Sequence, residues 1–238
     1  MIYYTGDIHG DASRIAYFAR RMQLTEDDVI VILGDVGANY YLGRRDDFMK
    51  SAMANIKPTI FCIHGNHEAR PHTIKSYKTK KWNGGEVWYE KAYPNLLFAK
   101  DGEIYNIEGL SHLVIGGAYS VDKYYRLARG YAWWEDEQPS SETKRRVEQQ
   151  IQGKHFNVIL THTCPFRYEP VEAFLPMIDQ SEVDASTEKW LDKIEQTVAY
   201  GIWLCGHWHI NKTVDKLQFL FEDFVSAENF RNTRSDTR

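Results

Sequence analysis

Hydrophobic positions in the first third of the chain alternate between two periods. Ile2–Thr5 is a short β-prone run that ends at Gly6-Asp7. Asp11 then stands where a helix N-cap belongs, and Ile15, Phe18, Ala19 and Met22 follow at helical spacing. Residues 29–33 are a continuous apolar run rich in β-branched side chains, as in a strand buried on both faces, and they end at Gly34-Asp35. Phe48, Met49, Ala52, Met53 and Ile56 return to the helical period before Pro58 stops it. Residues 59–63 form a third buried strand, ending at His64-Gly65-Asn66-His67. Three strand–helix repeats predict parallel pairing with right-handed crossovers.

The middle of the chain changes character. Between residues 80 and 117 short β-prone segments (86–89, 96–99, 103–107 and 112–115) are separated by turn signals such as Asn83-Gly84-Gly85 and Asp101-Gly102. That pattern predicts an antiparallel meander. Residues 119–138 are aromatic and charged without a period, and read as a loop. Ser140 or Ser141 caps a helix with Val147 and Ile151 inward, and residues 158–160 form a strand ending at Thr161-His162. Ser186 caps a helix with Trp190, Leu191, Ile194 and Val198 on one face. Residues 202–205 are a strand ending at Gly206-His207-Trp208-His209, and residues 217–221 are the last strand. With no repeat and no linker, the expectation is one mixed α/β domain over residues 1–228 and a polar, frayed tail over 229–238.

Composition narrows the classes. The chain has 238 residues, 43% hydrophobic and 26% charged, which is ample for a folded core. A net charge of −4 argues mildly against a protein devoted to a nucleic-acid backbone. No apolar run is long enough to span a membrane, and the N-terminus carries neither a basic leader nor an apolar signal core. Cys62, Cys164 and Cys205 are odd in number and lack metal-finger spacing, so a reducing cytoplasm is expected and the cysteines read as small buried residues.

Five predicted strands end in a short polar motif: Gly6-Asp7-Ile8-His9-Gly10, Gly34-Asp35, Gly65-Asn66-His67-Glu68, Thr161-His162 and Gly206-His207-Trp208-His209. Ligands of open α/β sheets bind beyond the carboxyl ends of the strands, so the five motifs converge on one place. Each motif alone reads as a turn; their joint occurrence does not. The collected carboxylates, amide and imidazoles suit Mn²⁺, Fe or Zn²⁺ and have no use for the cysteines.

These blocks, from Asp7 to His209, resemble the calcineurin-like metallophosphoesterase superfamily. The resemblance implies a four-layer αββα sandwich with two divalent metal ions at one edge, Mn first and Fe, Zn or Ni as alternatives. One metal would be held by Asp7, His9, Asp35 and His209, the other by Asp35, Asn66, His162 and His207, with Asp35 bridging. A metal-activated hydroxide would hydrolyse phosphomonoesters or phosphodiesters, and His67 would protonate the leaving alkoxide. Glu68 either orients His67 or begins a helix, the second reading being preferred. The protein-phosphatase branch reads Gly-Asp-x-Val-Asp-Arg-Gly in the second block, where this chain has Gly34-Asp35-Val36-Gly37-Ala38-Asn39-Tyr40. The carboxylate that would pair with His67 is therefore missing at Ala38, leaving Asn39 or a backbone carbonyl to orient the ring. Asn39 and Arg70 are the substrate-binding candidates, Arg70 for its phosphate-matching guanidinium. Arg44, Arg45 and Arg126 are weaker candidates. Residues 116–123 and 133–138 look like small bacterial and phage-type members. His64 reads as a core histidine bonded to backbone, and His72, His112 and His155 as surface or structural. Tyr124, Tyr125, Trp133 and Trp134 would pack on one another or stack a base, and Lys78, Lys80 and Lys81 form a solvated face. The function alternatives are a nuclease or polynucleotide end-processing phosphatase, and a non-catalytic protein-binding scaffold on the same fold.

Overall fold

The computed structural model describes residues 1–231. The first third of the chain is β1 (Ile2–Thr5), α1 (Ala12–Arg21), β2 (Val29–Ile32), α2 (Arg44–Ala54) and β3 (Thr59–Cys62). Asp11 caps α1, its carboxylate accepting from the N–H groups of Ser13 and Arg14. β1, β2 and β3 pair in parallel in sequence order. The middle comprises β4 (Lys78–Trp82), β5 (Gly85–Glu90), β6 (Tyr93–Ala99), β7 (Ile104–Ile107), β8 (Leu110–Ile115) and α3 (Lys123–Arg129). The last third comprises α4 (Ser141–Ile151), β9 (His155–Thr161), α5 (Ser186–Thr197), β10 (Ala199–Cys205), β11 (Lys212–Val214), β12 (Leu217–Phe219), β13 (Val225–Ser226) and α6 (Glu228–Arg231).

Two mixed sheets result. A seven-stranded sheet has the order β13-β1-β2-β3-β6-β5-β4, and a six-stranded sheet the order β11-β12-β10-β9-β8-β7. Alternation along each strand divides the core. Ile2, Tyr4, Val31, Leu33, Phe61 and Ile63 meet Val114, Val158, Leu160 and Leu204 between the sheets. The opposite faces of β1–β3 pack Tyr3, Ile30, Ile32 and Ile60 on Ile15 and Ala19 of α1 and Met49 and Met53 of α2. Leu113, Ile159 and Trp203 of the second sheet pack on Val147 and Ile151 of α4 and Trp190, Leu191 and Ile194 of α5. The single domain is thus four layers deep, helix–sheet–sheet–helix.

Three features differ from the sequence reading, and the lysine cluster keeps its largely solvated face on a strand that the reading did not place. The meander is divided: β4, β5 and β6 are antiparallel in the first sheet, whereas β7 and β8 form a hairpin in the second. Lys78, Lys80 and Lys81 belong to β4, the edge strand of the first sheet, where lysines discourage further pairing. Segment 119–138 is not all loop, because it contains α3, ended by Gly130 in a left-handed conformation. The buried residue of α3 is Arg126, so no apolar period announces the helix. The packed body also runs past residue 228: Phe230 of α6 lies 5.9 Å, ring centre to ring centre, from Tyr4; the rest of the expected tail, 232–238, lies outside the described residues. Among the described residues no helix is long and apolar enough to cross a membrane.

Candidate metal centre

Asp7, Asp35, Asn66, His162, His207 and His209 all lie just beyond the carboxyl ends of β1, β2, β3, β9 and β10, and the parallel register brings these ends together. Asp7, His9 and His209 each offer a ligand atom within 4.8 Å of the others, and so do Asp7, Asp35 and His162. Asp7 is common to both groups. Its Oδ1 accepts from the His207 N–H at 2.9 Å, and its Oδ2 lies 3.2 Å from His209 Nε2. Behind it, Arg14 Nη2 of α1 donates to the Asp7 carbonyl at 2.8 Å. Asp35 Oδ1 accepts from the His67 N–H at 2.8 Å and lies 3.6 Å from His162 Nε2.

The backbone is strained here. His9, Asp35, His207 and His209 have φ of 44°, 44°, 67° and 51°, in the left-handed region that side chains seldom adopt. Gly65 is required for another reason: a Cβ there would strike the Asp35 carboxylate and backbone N. A Cβ on Gly34 would likewise collide with the His162 ring.

Hydrogen bonding fixes which atoms face inward. His162 Nδ1 lies 2.7 Å from the Leu33 carbonyl, which can only accept. In the neutral ring Nδ1 therefore carries the proton and Nε2 presents a lone pair. Asn66 Nδ2 donates to Ser120 Oγ at 2.9 Å, and Ser120 Oγ donates to Glu137 Oε2 at 2.5 Å. That chain turns Asn66 Oδ1 toward His162 Nε2, at 2.8 Å, and toward His207 Nδ1, at 3.0 Å. His9 Nε2 and His209 Nε2 also face each other at 2.9 Å. Where the His162 ring is neutral, its Nε2 lone pair and Asn66 Oδ1 face each other with no proton between them, an arrangement that a bound cation would relieve. The donor set, oxygen and imidazole without thiolate, fits divalent cations of the Mn, Fe, Zn and Ni type.

The charges agree. Burial opposes ionisation of Asp7 and Asp35, but the facing histidines outweigh it, and both carboxyls are held below the ordinary range. Burial, reinforced by neighbouring His162, keeps His207 well below the usual imidazole value. The Asp7 carboxylate raises His209.

His67 lies to one side of this cluster. Its Nε2 is 3.7 Å from Asp122 Oδ1, the residue that opens α3. Asp122 in turn is 4.0 Å from Arg126 Nη1. Arg126 is buried, its guanidinium over the rings of Tyr40 and Trp134. Asn39, expected to contact substrate or steer His67, is fully buried, and its Oδ1 accepts from the Tyr77 hydroxyl at 3.0 Å. Arg70 is also committed elsewhere: its guanidinium pairs with Asp101 and donates to the Asp136 carbonyl, each at 2.6 Å. Glu68 begins no helix. It is buried with Oε1 accepting from the Gly65 N–H at 3.1 Å, and burial beside Asp35 pushes its carboxyl up to about 8. His64 is a core histidine, but neither ring nitrogen has a hydrogen-bond partner among the described residues. His112 is structural, taking the Tyr4 hydroxyl at 2.7 Å and giving Nδ1–H to the Leu110 carbonyl at 2.8 Å.

Ser120, Asp122 and Glu137 carry structure that sequence reasoning did not assign. The available signal was the polar positions Ser120 and Asp122 within 116–123 and the polar run at 135–138. Two cavities meet at the centre. The larger, about 750 Å³, is lined by His9, His67, Tyr40, Tyr41 and Arg45 among others. The second, about 520 Å³, is lined by His67, Asn66, Trp208 and segment 169–188 residues.

A four-layer α/β sandwich with a carboxylate- and histidine-rich centre at its strand ends is the architecture of a metal-dependent hydrolase. The family model for calcineurin-like phosphoesterases matches residues 1–211, and the chain belongs to that family, hydrolases acting on phosphoester bonds. Among solved structures it is similar to that of TT1561 of Thermus thermophilus, with 12% identity and a TM-score of 0.51 over 92% of this chain and 87% of that one. A second solved structure, also 12% identical, matches with a TM-score of 0.52 over 92% and 88%. At this identity both likenesses concern the fold alone. No curated protein matches the chain in sequence.

Proposed function

We propose that the chain is a dinuclear-metal-dependent phosphoesterase acting on small or medium phosphoesters. The observation that carries this reading is the convergence of potential ligand atoms: Asn66 Oδ1 lies against both His162 Nε2 and His207 Nδ1, and His9 Nε2 against His209 Nε2. Asp7, His9, Asp35 and His209 would hold one cation and Asp35, Asn66, His162 and His207 the other. When bound, the cations supply charge compensation for the phosphate and activation of the attacking water.

The remaining chemistry belongs to the side chains. His67, supported through its backbone N–H by Asp35, presents its ring toward both cavities and donates a proton to the leaving alkoxide. Asp122 faces the same ring from α3 and takes the orienting role that Ala38 cannot. The Ser120–Glu137 pair keeps the Asn66 carbonyl oxygen aimed inward. The described lining of the smaller cavity includes four carboxyls and no lysine or arginine, which favours a compact substrate over a polynucleotide backbone.

The test is a panel of phosphomonoesters and phosphodiesters run on chelated protein with Mn²⁺, Ni²⁺, Zn²⁺ or Mg²⁺ restored one at a time, with bound metal counted. Hydrolysis that depends on added metal, with two equivalents per chain, is expected. Undiminished hydrolysis in excess chelator, or saturation at one equivalent, refutes the proposal.

A further inference from the structure

The cavity of about 520 Å³ beside the metal centre falls within the roughly 300–1,000 Å³ range of small-molecule sites. It has features that phosphate hydrolysis does not need. Phe174 and Trp208 line it as a stacked pair, their rings inclined by 23° with centres 5.6 Å apart, so outer ring faces and edges are what the pair offers a ligand. Leu175, Ile178, Val183 and Ile210 extend the apolar lining. Into this surface come two carboxyls, Glu169 and Glu188.

Glu188 carries the argument. It stands in the first turn of α5, only 4% exposed, and lines the cavity. Thr163 approaches its carboxyl, yet Oε2 has no hydrogen-bond partner among the described residues. A buried acceptor left unsatisfied costs free energy, and a donor brought by a ligand in the cavity would offset that cost. Burial pushes both groups up to about 7, and Glu188 adds its charge to the effect on Glu169. The described lining has no lysine or arginine; Lys189 and Lys144, outside it, oppose the rise at Glu169 and Glu188 without overcoming burial. The complementary ligand is flat, aromatic on its face and rich in N–H donors at its edge. A simple ammonium would satisfy the carboxyls but leave the aromatic pair unused, since two rings stacked on each other do not enclose a cation as a cage does.

We propose that this cavity is a base-recognition subsite, in which a nucleobase bearing an exocyclic amino group packs on Phe174 and Trp208 and donates its N–H groups to Glu188 and Glu169. The inference rests on the phosphoester reading of the adjoining centre and narrows it: the substrate is a nucleoside phosphoester whose phosphate lies at the metal ligands while its base fills this pocket.

The p-nitrophenyl esters of cytidine 5′-phosphate and uridine 5′-phosphate test it. They share sugar and leaving group and differ on the base edge, where cytosine has an exocyclic amino donor beside an N3 acceptor and uracil a carbonyl beside an N3–H. At pH 8.5, above the range of both carboxyls, the Mn²⁺-loaded protein should prefer the cytidine ester by about 10-fold or more in kcat/KM. Glu188→Gln, isosteric and able to donate as well as accept, should bring that ratio to within about threefold of unity. Phe174→Ala should raise KM for both nucleotide esters relative to bis(p-nitrophenyl) phosphate. No cytidine preference in the wild type, a preference unchanged in Glu188→Gln, or faster turnover of p-nitrophenyl phosphocholine overturns the proposal. Cytidine binding to the metal-free protein, followed by tryptophan fluorescence, separates the two readings. Cytidine binding weakened by Glu188→Gln in a protein that hydrolyses no phosphoester leaves the subsite standing and removes the phosphoesterase reading. Absence of cytidine binding removes the subsite whatever the activity.

Discussion

Replacing Asp122 by Asn isolates what the chain uses in place of the carboxylate absent at Ala38. The change keeps shape and removes charge. Asp122 occupies the N-cap position of α3 but makes no side-chain capping bond there, so helix loss is not a confounding cost. Its Oδ1 stands 3.7 Å from His67 Nε2. Two unit charges at that separation interact by about 1 kcal/mol at the permittivity of water and by about 4 kcal/mol at an effective value near 20. The side chains are 30% and 38% exposed, which places the pair toward the screened end. A loss of about 1–2 kcal/mol corresponds to a rate decrease of about 5–30-fold. His67→Ala removes the proposed proton donor itself and should cost about 10²–10⁴-fold.

The two variants are coupled in a way that a merely structural role would not reproduce. If Asp122 acts through His67, Asp122→Asn should slow an alkyl phosphoester and spare a nitrophenyl one, whose leaving group needs no proton. In a His67→Ala background it should cost nothing further. The assay is a double-mutant cycle in kcat/KM with both leaving groups, with melting temperature and metal content checked for each variant. Additive losses, or equal losses on both leaving groups, would refute the assignment of Asp122 to His67.

The other predictions concern the centre and the core. Asp35→Asn and His207→Ala should each abolish hydrolysis and lower metal content, measured by elemental analysis; full metal with near-normal turnover in either would exclude that residue as a ligand. Gly65→Ala should depress activity and metal binding together, because the new Cβ meets the Asp35 carboxylate; an unaffected variant would show that the loop yields freely. His112 is fully buried with its value pushed down to about 4 by burial, from an ordinary 6.5. The unfolded chain therefore binds this proton first, so the contribution is intact above pH 6.5 and lost progressively as pH falls toward 4. The loss is worth up to about 3 kcal/mol, and urea titrations across that interval should show a slope that His112→Gln reduces by one histidine's share, the depressed His64 and His207 supplying the rest. An identical slope in the variant would move the effect to other groups.

The strand-end motifs were legible because each joins a long apolar run to glycine and a polar residue, and the parallel register does the rest. β1, β2, β3, β9 and β10 could be read in the sequence for the same reason. What was not legible shares one physical property: it depends on buried polar side chains, which leave no hydrophobic period. α3 buries an arginine, so residues 119–138 read as a loop. Glu68 looked like a first-turn acid and is a buried acceptor for the Gly65 N–H. Arg70 looked like a phosphate clamp, and its partner Asp101 lies 31 residues away, out of reach of local reasoning. The division of the meander between sheets depends on where Ala99 leaves the first sheet and Ile104 enters the second, a choice that alternation alone does not make.

The strain at the centre has an economical explanation. A strand that simply continued past Asp7, Asp35 or His207 would point alternate side chains to opposite faces of the sheet. Left-handed φ at His9, Asp35, His207 and His209 breaks that alternation and turns successive polar residues to one side. The glycines beside them let neighbouring strand ends approach more closely than side chains allow. Such conformations cost of order 1–3 kcal/mol each and persist only where surrounding structure overdetermines them. Here the surroundings are the fully buried residues Leu33, Ile63, Leu160 and Leu204 directly beneath, packed between the two sheets. The facing acceptors add a second cost, since Asn66 Oδ1 and the lone pair of His162 Nε2 have no proton to share between them while the ring is neutral. Both costs are of the kind that ligand binding to the folded chain alone can offset, which ties stability to loading of the centre. The rigid core therefore does more than support the site: it holds the Asn66 oxygen against the His162 ring, a convergence that, on the proposed reading, a bound cation would relieve.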